Sequence, residues 1–246
     1  MNLYFKIKRA IACFLIQEKI KTKLDEPLIS FSFDDAPNSA FVAGRSILNK
    51  YGYKATYYIS LGIREQDNPQ KGYFETAHLK EVIAEGGELA CHTYSHIHFY
   101  TSSIKSLQND LEENQRKLNE ILPEYRFSNF SYPYGEQTIS GKVLVRSKFR
   151  SARSVKAGIN SNPVDLNNLR ALQLEKSLTL EKAFEYIDQT IAQKGWLIFY
   201  SHDIQDDCSS WGCTPSFFEQ VVKYCSDRKL NVRTIDQGLD LLKVRK

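Results

Sequence analysis

Short apolar runs alternate with amphipathic stretches from one end of the chain to the other, and that alternation predicts the elements. The runs Leu28 to Phe33, Ala55 to Ser60, Glu88 to Cys91, Asn129 to Tyr132, Arg150 to Ser154, Ala171 to Leu174, Trp196 to Ser201 and Asn231 to Thr234 have the length of strands. Helical patterns lie between them. One begins near Ser39 and stops at Gly52, and another runs from Thr76 to Gly86 and Gly87. A long one carries Ile104, Leu107, Leu111, Leu118 and Ile121 on its inner face and ends before Pro123; later ones start near Thr138, Thr179 and Pro215. Eight strands separated by helices imply parallel pairing. The expected fold is therefore α/β, a distorted (β/α) barrel of seven or eight parallel strands, with an open doubly wound sheet as the alternative. No repeat, low-complexity tract or linker divides residues 25–246, which read as one domain behind a basic amphipathic segment, residues 1–24.

Charge changes the picture only at that segment. The chain carries a formal +4, yet residues 1–24 hold six Lys or Arg against Glu18 alone, a balance of +5 that leaves −1 for the rest. The body has no basic field suited to nucleic acid. The apolar run Ala10 to Ile16 is short for a signal peptide, no small-residue cleavage site follows it, and it cannot span a bilayer. The expectation is a retained segment and a cytoplasmic protein, with the inner membrane face as the alternative address. Ile7, Ile11 and Phe14 share a helical face, which either lies on an anionic membrane surface or covers part of the domain; the packing reading is preferred. Five cysteines without a secreted framework suit a reducing compartment; Cys208 and Cys213 flank SSWG and could pair, but pairing is not assumed.

Chemistry is expected where the strands stop. LISFSF runs into Asp34 and Asp35, ELAC into His92, NFSY into Pro133, Tyr134 and Gly135, and WLIFYS into His202. In a β/α barrel the carboxyl ends of the strands surround one mouth, so these distant groups would meet. Adjacent carboxylates can divide the labour of holding a cation and handling a proton, although FDDAPNS also suits a turn and a helix cap. In HTYSH, His92 and His96 stand four apart, a spacing that lets two imidazoles converge on a metal along a helical turn. Thr93 stands where an HExxH motif needs its glutamate, so the base must come from elsewhere. His78 and His98 read as satisfied or surface histidines, and Cys91 is expected to turn away from the site.

SFDDAP, HTYSH, SYPYG and YSHD, in this order from about Leu28 to Leu242, resemble the motifs of the polysaccharide deacetylase family, also called the NodB homology domain or carbohydrate esterase family 4. The resemblance implies Asp34 as catalytic base, Asp35, His92 and His96 as ligands of a divalent metal, and His202 as general acid. It places Pro133, Tyr134 and Gly135 at the substrate, with the Tyr134 N–H on the oxyanion. Zinc is the implied metal, with cobalt or nickel as substitutes. The family's third motif often begins with an arginine that orients the base, where this chain has Ser131. Arg153 is the first choice to replace it, ahead of Arg150 and Arg170. The family's fourth motif is absent after Tyr134, leaving the carboxylate partner of His202 unassigned; Asp203 is a poor choice because neighbouring side chains diverge.

The function expected from these residues is metal-dependent N-deacetylation of an amino sugar in a glycan, a lipid-linked or a nucleotide-linked saccharide, with metal-activated water as nucleophile. The partner is an N-acetylated saccharide, with a membrane surface as a further one for residues 1–24. Two rivals use the same residues: a non-haem iron oxygenase built on Asp35, His92 and His96, and a carbohydrate-binding member of the fold that has lost catalysis.

Overall fold

The computed structural model describes residues 3–21, 24–35, 37–64 and 73–244. Its first helix, α1 (Leu3–Leu15), leads into the short β1 (Lys19–Ile20) and then β2 (Leu28–Asp34). A π-helical turn continues into α2 (Arg45–Lys50), followed by β3 (Thr56–Ile59), α3 (Leu61–Arg64), α4 (Thr76–Ala84) and β4 (Glu88–Cys91). Next come α5 (Ile104–Ile121), β5 (Asn129–Ser131), α6 (Ile139–Lys148), β6 (Ser151–Arg153), β7 (Val164–Asp165) and β8 (Leu172–Gln173). The chain ends with α7 (Leu180–Gln193), β9 (Trp196–Ser201), α8 (Pro215–Asp227), β10 (Asn231–Val232) and α9 (Ile235–Leu241).

Seven parallel strands follow one another in the order β6-β5-β4-β3-β2-β9-β8, and β10 pairs with the start of β2 at Leu28 and Ile29. The ring is completed irregularly. Leu169 forms a parallel bridge with Arg153 of β6, and five residues later Leu174 N–H donates to Tyr200 O of β9. The architecture is a distorted (β/α) barrel, and the open doubly wound alternative does not apply.

The strands lack apolar-polar alternation because both faces are covered, as parallel sheets require. All seven residues of β2 and all six of β9 are buried. On β2, Ile29, Phe31 and Phe33 join the layer between sheet and helices, whereas Leu28 joins a second cluster with Tyr58, Ala90, Trp196, Ile198 and Tyr200 inside the barrel. Ser30, Ser32 and Asp34 share the inward phase of Leu28, since side chains alternate along a strand. The barrel interior is thus polar in part, and its polar groups are bonded: Trp196 Nε1 donates to Ser30 Oγ (2.9 Å), and Ser32 Oγ to Phe199 O (2.9 Å).

Side-chain caps fix the helix starts. Ser103, Thr138, Thr179, Thr214 and Thr234 each accept a backbone N–H of the first turn. Short elements outside the expected set are α3, α9 and the antiparallel pair β1 with β7.

The N-terminal segment corrects one expectation. Helix α1 rests on the domain through Phe5, stacked on Tyr100 at 4.6 Å, through buried Ala12, and through Cys13, whose thiol donates to Gln137 Oε1. The face expected to pack points outward, with Ile7, Ile11 and Phe14 exposed at 52%, 46% and 76%. Residues spaced for one helical face must all face the same way, and the helix docks by the opposite face, which carries Phe5, Ala12 and Cys13. Among the described residues no helix is long and apolar enough to cross a membrane. All five cysteines are free thiols, Cys208 and Cys213 included.

The barrel floor is closed by a polar network around Glu88. Its carboxyl accepts from Thr56 Oγ1 (2.7 Å), Asn129 Nδ2 (2.7 Å) and the Asp236 N–H (2.9 Å) in the first turn of α9. Arg150 pairs with Asp236 from outside (2.6 Å). Burial pushes Glu88 up to about 7 from an ordinary 4.5, against the pull of these hydrogen bonds. Because the folded protein holds this proton more tightly than the unfolded chain, the group's contribution falls as pH rises from about 4.5 to about 7 and is level above. Glu88→Gln should flatten the pH dependence of the unfolding free energy from urea titrations across that window, by about 3 kcal/mol. Parallel wild-type and variant curves from pH 4 to 8 would remove Glu88 from this role.

Candidate active site

At the carboxyl end of β2 the backbone departs from extended geometry at one residue. Asp34 points into the barrel, 3% exposed, and an ordinary strand would send Asp35 to the opposite face. Asp35 instead has φ 55°, in the left-handed region, which turns both carboxylates toward the mouth. Strand β4 behaves similarly. Glu88 and Ala90 face inward and so does His92; then Thr93 (φ 64°) and His96 (φ 54°) bend the chain back. HTYSH is therefore an irregular loop and not the helical turn its spacing suggested. Asp110 of α5 holds it, accepting from the N–H groups of Tyr94 (2.7 Å) and Ser95 (3.1 Å) and from Ser95 Oγ (2.7 Å).

These bends bring Asp35, His92 and His96 together. Asp35 Oδ1 lies 3.4 Å from His96 Nε2 and 3.7 Å from His92 Nε2, and the three donor atoms all fall within 4.8 Å of one another. Asp35 Oδ1 is buried and has no hydrogen-bond partner. His92 Nδ1 is engaged by Ser131 O at 2.8 Å, which aims Nε2 at the cluster. Burial lowers His92 to about 4, opposed by Asp34, so its ring is neutral at neutral pH. An unpartnered buried carboxylate oxygen beside two imidazole nitrogens fits a divalent ion, since ligands about 2.0–2.1 Å from a tetrahedral centre stand roughly 3.4 Å apart. Cys91 takes no part; it lies in the outer core against Asn114 Nδ2 (3.4 Å).

Beside this cluster sits a buried ion pair. Arg153 Nη2 donates to both carboxylate oxygens of Asp34 and to Ser131 Oγ. The guanidinium is fully buried, with the rings of Tyr58 and Tyr200 at 5.1 and 4.4 Å. Burial alone would raise Asp34; Arg153 first, then His92 and His202, outweigh it and hold the carboxyl below its ordinary value. Arg150 and Arg170 do not reach this site: the former pairs with Asp236 and Asp240, and the latter lines a cleft at the side of the barrel.

Pro133, Tyr134 and Gly135 form a tight turn in which Gly135 N–H donates to Tyr132 O and Glu136 N–H to Pro133 O. These bonds leave the Tyr134 N–H outside the turn's own pairing. Tyr134 has φ 55°, and its half-exposed ring stacks on His98 (4.0 Å, 5°) and meets the edge of His96 (4.2 Å). Gly135 (φ 64°) has no room for a side chain, because a Cβ would stand 2.3 Å from Val155. His202, at the end of β9, is near enough to stabilise the Asp34 carboxylate. Its Nδ1 is buried without a hydrogen-bond partner. Asp203 is turned away, accepting from Ser209 N–H (2.8 Å) and Ser209 Oγ (2.6 Å).

Sequence reasoning missed Tyr58 and Tyr200 around the guanidinium, and it read Ser131 only as a loss. Strand register carries the signal for Ser131, because it lies directly opposite Arg153 on the neighbouring strand. His98, left outside the site, stacks on Tyr134 and pairs with Glu136 at 3.0 Å. His78 serves α4, where its Nδ1 accepts from Glu75 N–H.

Comparison with known proteins places this mouth in a family. The chain is 30% identical over 101 residues to the peptidoglycan-N-acetylglucosamine deacetylase of Bacillus cereus, a stretch covering 41% of this chain and 44% of that protein. It is 26% identical over 110 residues to the chitooligosaccharide deacetylase of Sinorhizobium fredii, covering 44% of this chain and 47% of that one. The matched stretches thus span less than half the length of either relative. Among solved structures, the family 4 acetyl xylan esterase of Clostridium thermocellum, determined with a cobalt ion, superposes with a TM-score of 0.64 at 17% identity, over 89% of this chain and 93% of that one. The chitin deacetylase of Colletotrichum lindemuthianum gives 0.62 at 14% identity, over 88% and 89%. Both show the same fold. The family model described as polysaccharide deacetylase matches residues 21–148, just over half of the sequence. With that match, the chain belongs to the polysaccharide deacetylase family.

Proposed function

We propose that this protein is a metal-dependent N-deacetylase of acetylated amino sugars, releasing acetate and a free amine. The observation that carries the reading is the pairing of two unlike carboxylates at one mouth. Asp35 presents an unpartnered oxygen to two imidazoles, while Asp34 beside it is held ionised by Arg153. The names of the relatives, peptidoglycan and chitooligosaccharide deacetylases, favour N-acetylglucosamine units as the substrate class.

Asp35, His92 and His96 would hold the ion, and zinc suits one carboxylate and two imidazoles, with cobalt or nickel as substitutes. When bound, such an ion supplies a Lewis acid for the acetyl carbonyl and lowers the pKa of water toward about 7. The remaining tasks belong to side chains. Asp34 accepts the proton of the attacking water; Arg153 occupies one lone pair on each oxygen and leaves others free. The Tyr134 N–H, outside the bonding of its turn, donates to the developing oxyanion, a contribution of roughly 3 kcal/mol for one such donor. His202 protonates the amide nitrogen, without which an amine is a poor leaving group. The unpartnered Nδ1 of His202 is the one feature favouring a member that binds sugars without turnover. An iron oxygenase gives no use for an ionised Asp34 or for His202.

Two measurements test the assignment. Protein reconstituted with zinc should carry about one ion per chain, His92→Ala should lose it, and Asp34→Asn should keep it while acetate release from acetylated chitooligosaccharides falls about 10²- to 10⁴-fold. Equal metal in wild type and His92→Ala would end the metal reading, and sugar binding without acetate release from the loaded wild type would favour the binding-only member.

Arg153 offers the second. Arg153→Gln leaves Asp34 buried without its cation, so stability should drop by roughly 3–5 kcal/mol, with part recovered when Asp34→Asn is added. The acid limb of the turnover profile should move to higher pH, because burial then dominates the Asp34 carboxyl. An unmoved limb would take Arg153 out of the base's environment.

A further inference from the structure

A cleft of about 680 Å³ lies outside the cluster of metal ligands, in a groove that begins beside it. Its wall includes Gly135 and Ser154, the residues that immediately follow Tyr134 and Arg153, and it runs between α1 and the segment 154–170. Its charge is lopsided. Lys6, Arg9, Lys19, Lys156 and Arg170 line it against one carboxylate, Asp165, which is already occupied by the N–H groups of Glu18 (2.9 Å) and Asn167 (3.1 Å).

None of the five cations forms an ion pair with a described carboxylate, whereas Arg116, Lys148, Lys182 and Lys223 elsewhere on the surface each do. Gathering five like charges in one concavity raises their mutual repulsion and focuses a positive potential there, a cost with no structural return. Arg170 is exposed, yet its side chain follows a defined path over the backbone. It crosses Gly158 (φ 145°), where a Cβ would stand 2.8 Å from its Cδ, and its backbone N–H donates to Asn160 Oδ1 at 2.9 Å.

We infer that this cleft is an anion subsite of the same active site and takes a phosphate or diphosphate group that carries the acetylated sugar. The inference rests on the deacetylase reading for the sugar, but not for the anion. Arginine forks and lysine ammonium groups together match the several acceptor oxygens of a diphosphate. A sugar in the mouth would then lead its phosphate past Gly135 into the groove. Two substrate sources share this chemistry, a nucleotide-linked and a lipid-linked saccharide. Phe14, at the rim and 76% exposed, continues into the exposed Ile11 and Ile7 on the outer face of α1, which offers an apolar path for a lipid.

The test uses zinc-loaded full-length protein, wild type and a Lys156→Gln/Arg170→Gln double variant, with Arg9→Gln as an independent check on the opposite wall. Binding is measured for uridine diphosphate N-acetylglucosamine, for a short isoprenyl-diphosphate N-acetylglucosamine, and for a neutral acetylated chitooligosaccharide. The double variant should lose at least about ten-fold in affinity for a diphosphate probe and change little for the neutral sugar, since each lost charged hydrogen bond is worth about ten-fold or more. Tighter binding of the isoprenyl probe, lost in Phe14→Glu, identifies the lipid source; tighter binding of the nucleotide probe identifies the other. Equal affinities of wild type and both variants for the diphosphate probes would overturn the subsite. Acetate release from the neutral sugar separates the two readings. Its absence in wild type counts against the deacetylase alone, and its persistence in the variants with unchanged diphosphate binding counts against the subsite alone.

Discussion

The ion pair between Asp34 and Arg153 is the constraint on which the rest of this structure depends. The two residues sit on β2 and β6, four strands apart in sheet order. In a flat sheet that separation would be roughly 19 Å, at about 4.8 Å per strand, far beyond the reach of an arginine side chain. Their direct contact requires the sheet to curl until its inner face closes on itself. It also requires both partners to arrive together, because either charge left alone in a dry interior costs several kcal/mol. Curvature, burial and ionisation of Asp34 are therefore one arrangement.

Around that pair the interior combines a second polar network with an apolar cluster. Glu88, Asn129 and Thr56 form the floor, bonded to the first turn of α9. Leu28, Tyr58, Ala90, Ile198 and Trp196 belong to the apolar cluster, with Leu28 and Trp196 against α9 at Gly238. The mouth carries the strain: of the seven non-glycine residues with positive φ among those described, Asp35, Thr93, His96 and Tyr134 all lie there. Left-handed backbone at ordinary residues costs of order 1–3 kcal/mol each and persists only where surrounding contacts enforce it. Here it lets side chains that alternate along a strand converge, which regular β geometry forbids.

Much of this was legible in sequence, for identifiable reasons. The barrel strands announce themselves as apolar runs because both faces are buried, and the site residues are visible because each run ends in a polar group. Strands β1 and β7, two residues each, are too short for any periodicity to register. Helix α9 was missed although Thr234 and Gln237 form a capping box, a signal present in the letters. The docked face of α1 was inverted because that helix has apolar residues on two sides, and a pattern shows which residues share a face without showing which face meets the protein. The convergence of His92 with His96 was read correctly as proximity but for the wrong local reason, since two left-handed residues do what a helical turn was expected to do. No single-sequence pattern encodes that bend.

The serine at position 131 illustrates how a departure from a motif is resolved in three dimensions. In the sequence, Ser131 stands where the resemblance calls for an orienting arginine, and Arg153, on the next strand, is only a candidate to replace it. In the barrel they are register partners, and the guanidinium of Arg153 crosses over Ser131 Oγ to reach Asp34. A second arginine at 131 would place two guanidinium groups in one dry pocket around a single carboxylate, and their repulsion would exceed what Asp34 can neutralise. A small hydroxyl at 131 instead leaves space for the incoming side chain and accepts one of its hydrogens, while its own backbone carbonyl remains free to fix His92. The serine and the arginine thus act together across adjacent strands, at the same height in the barrel, on one carboxylate.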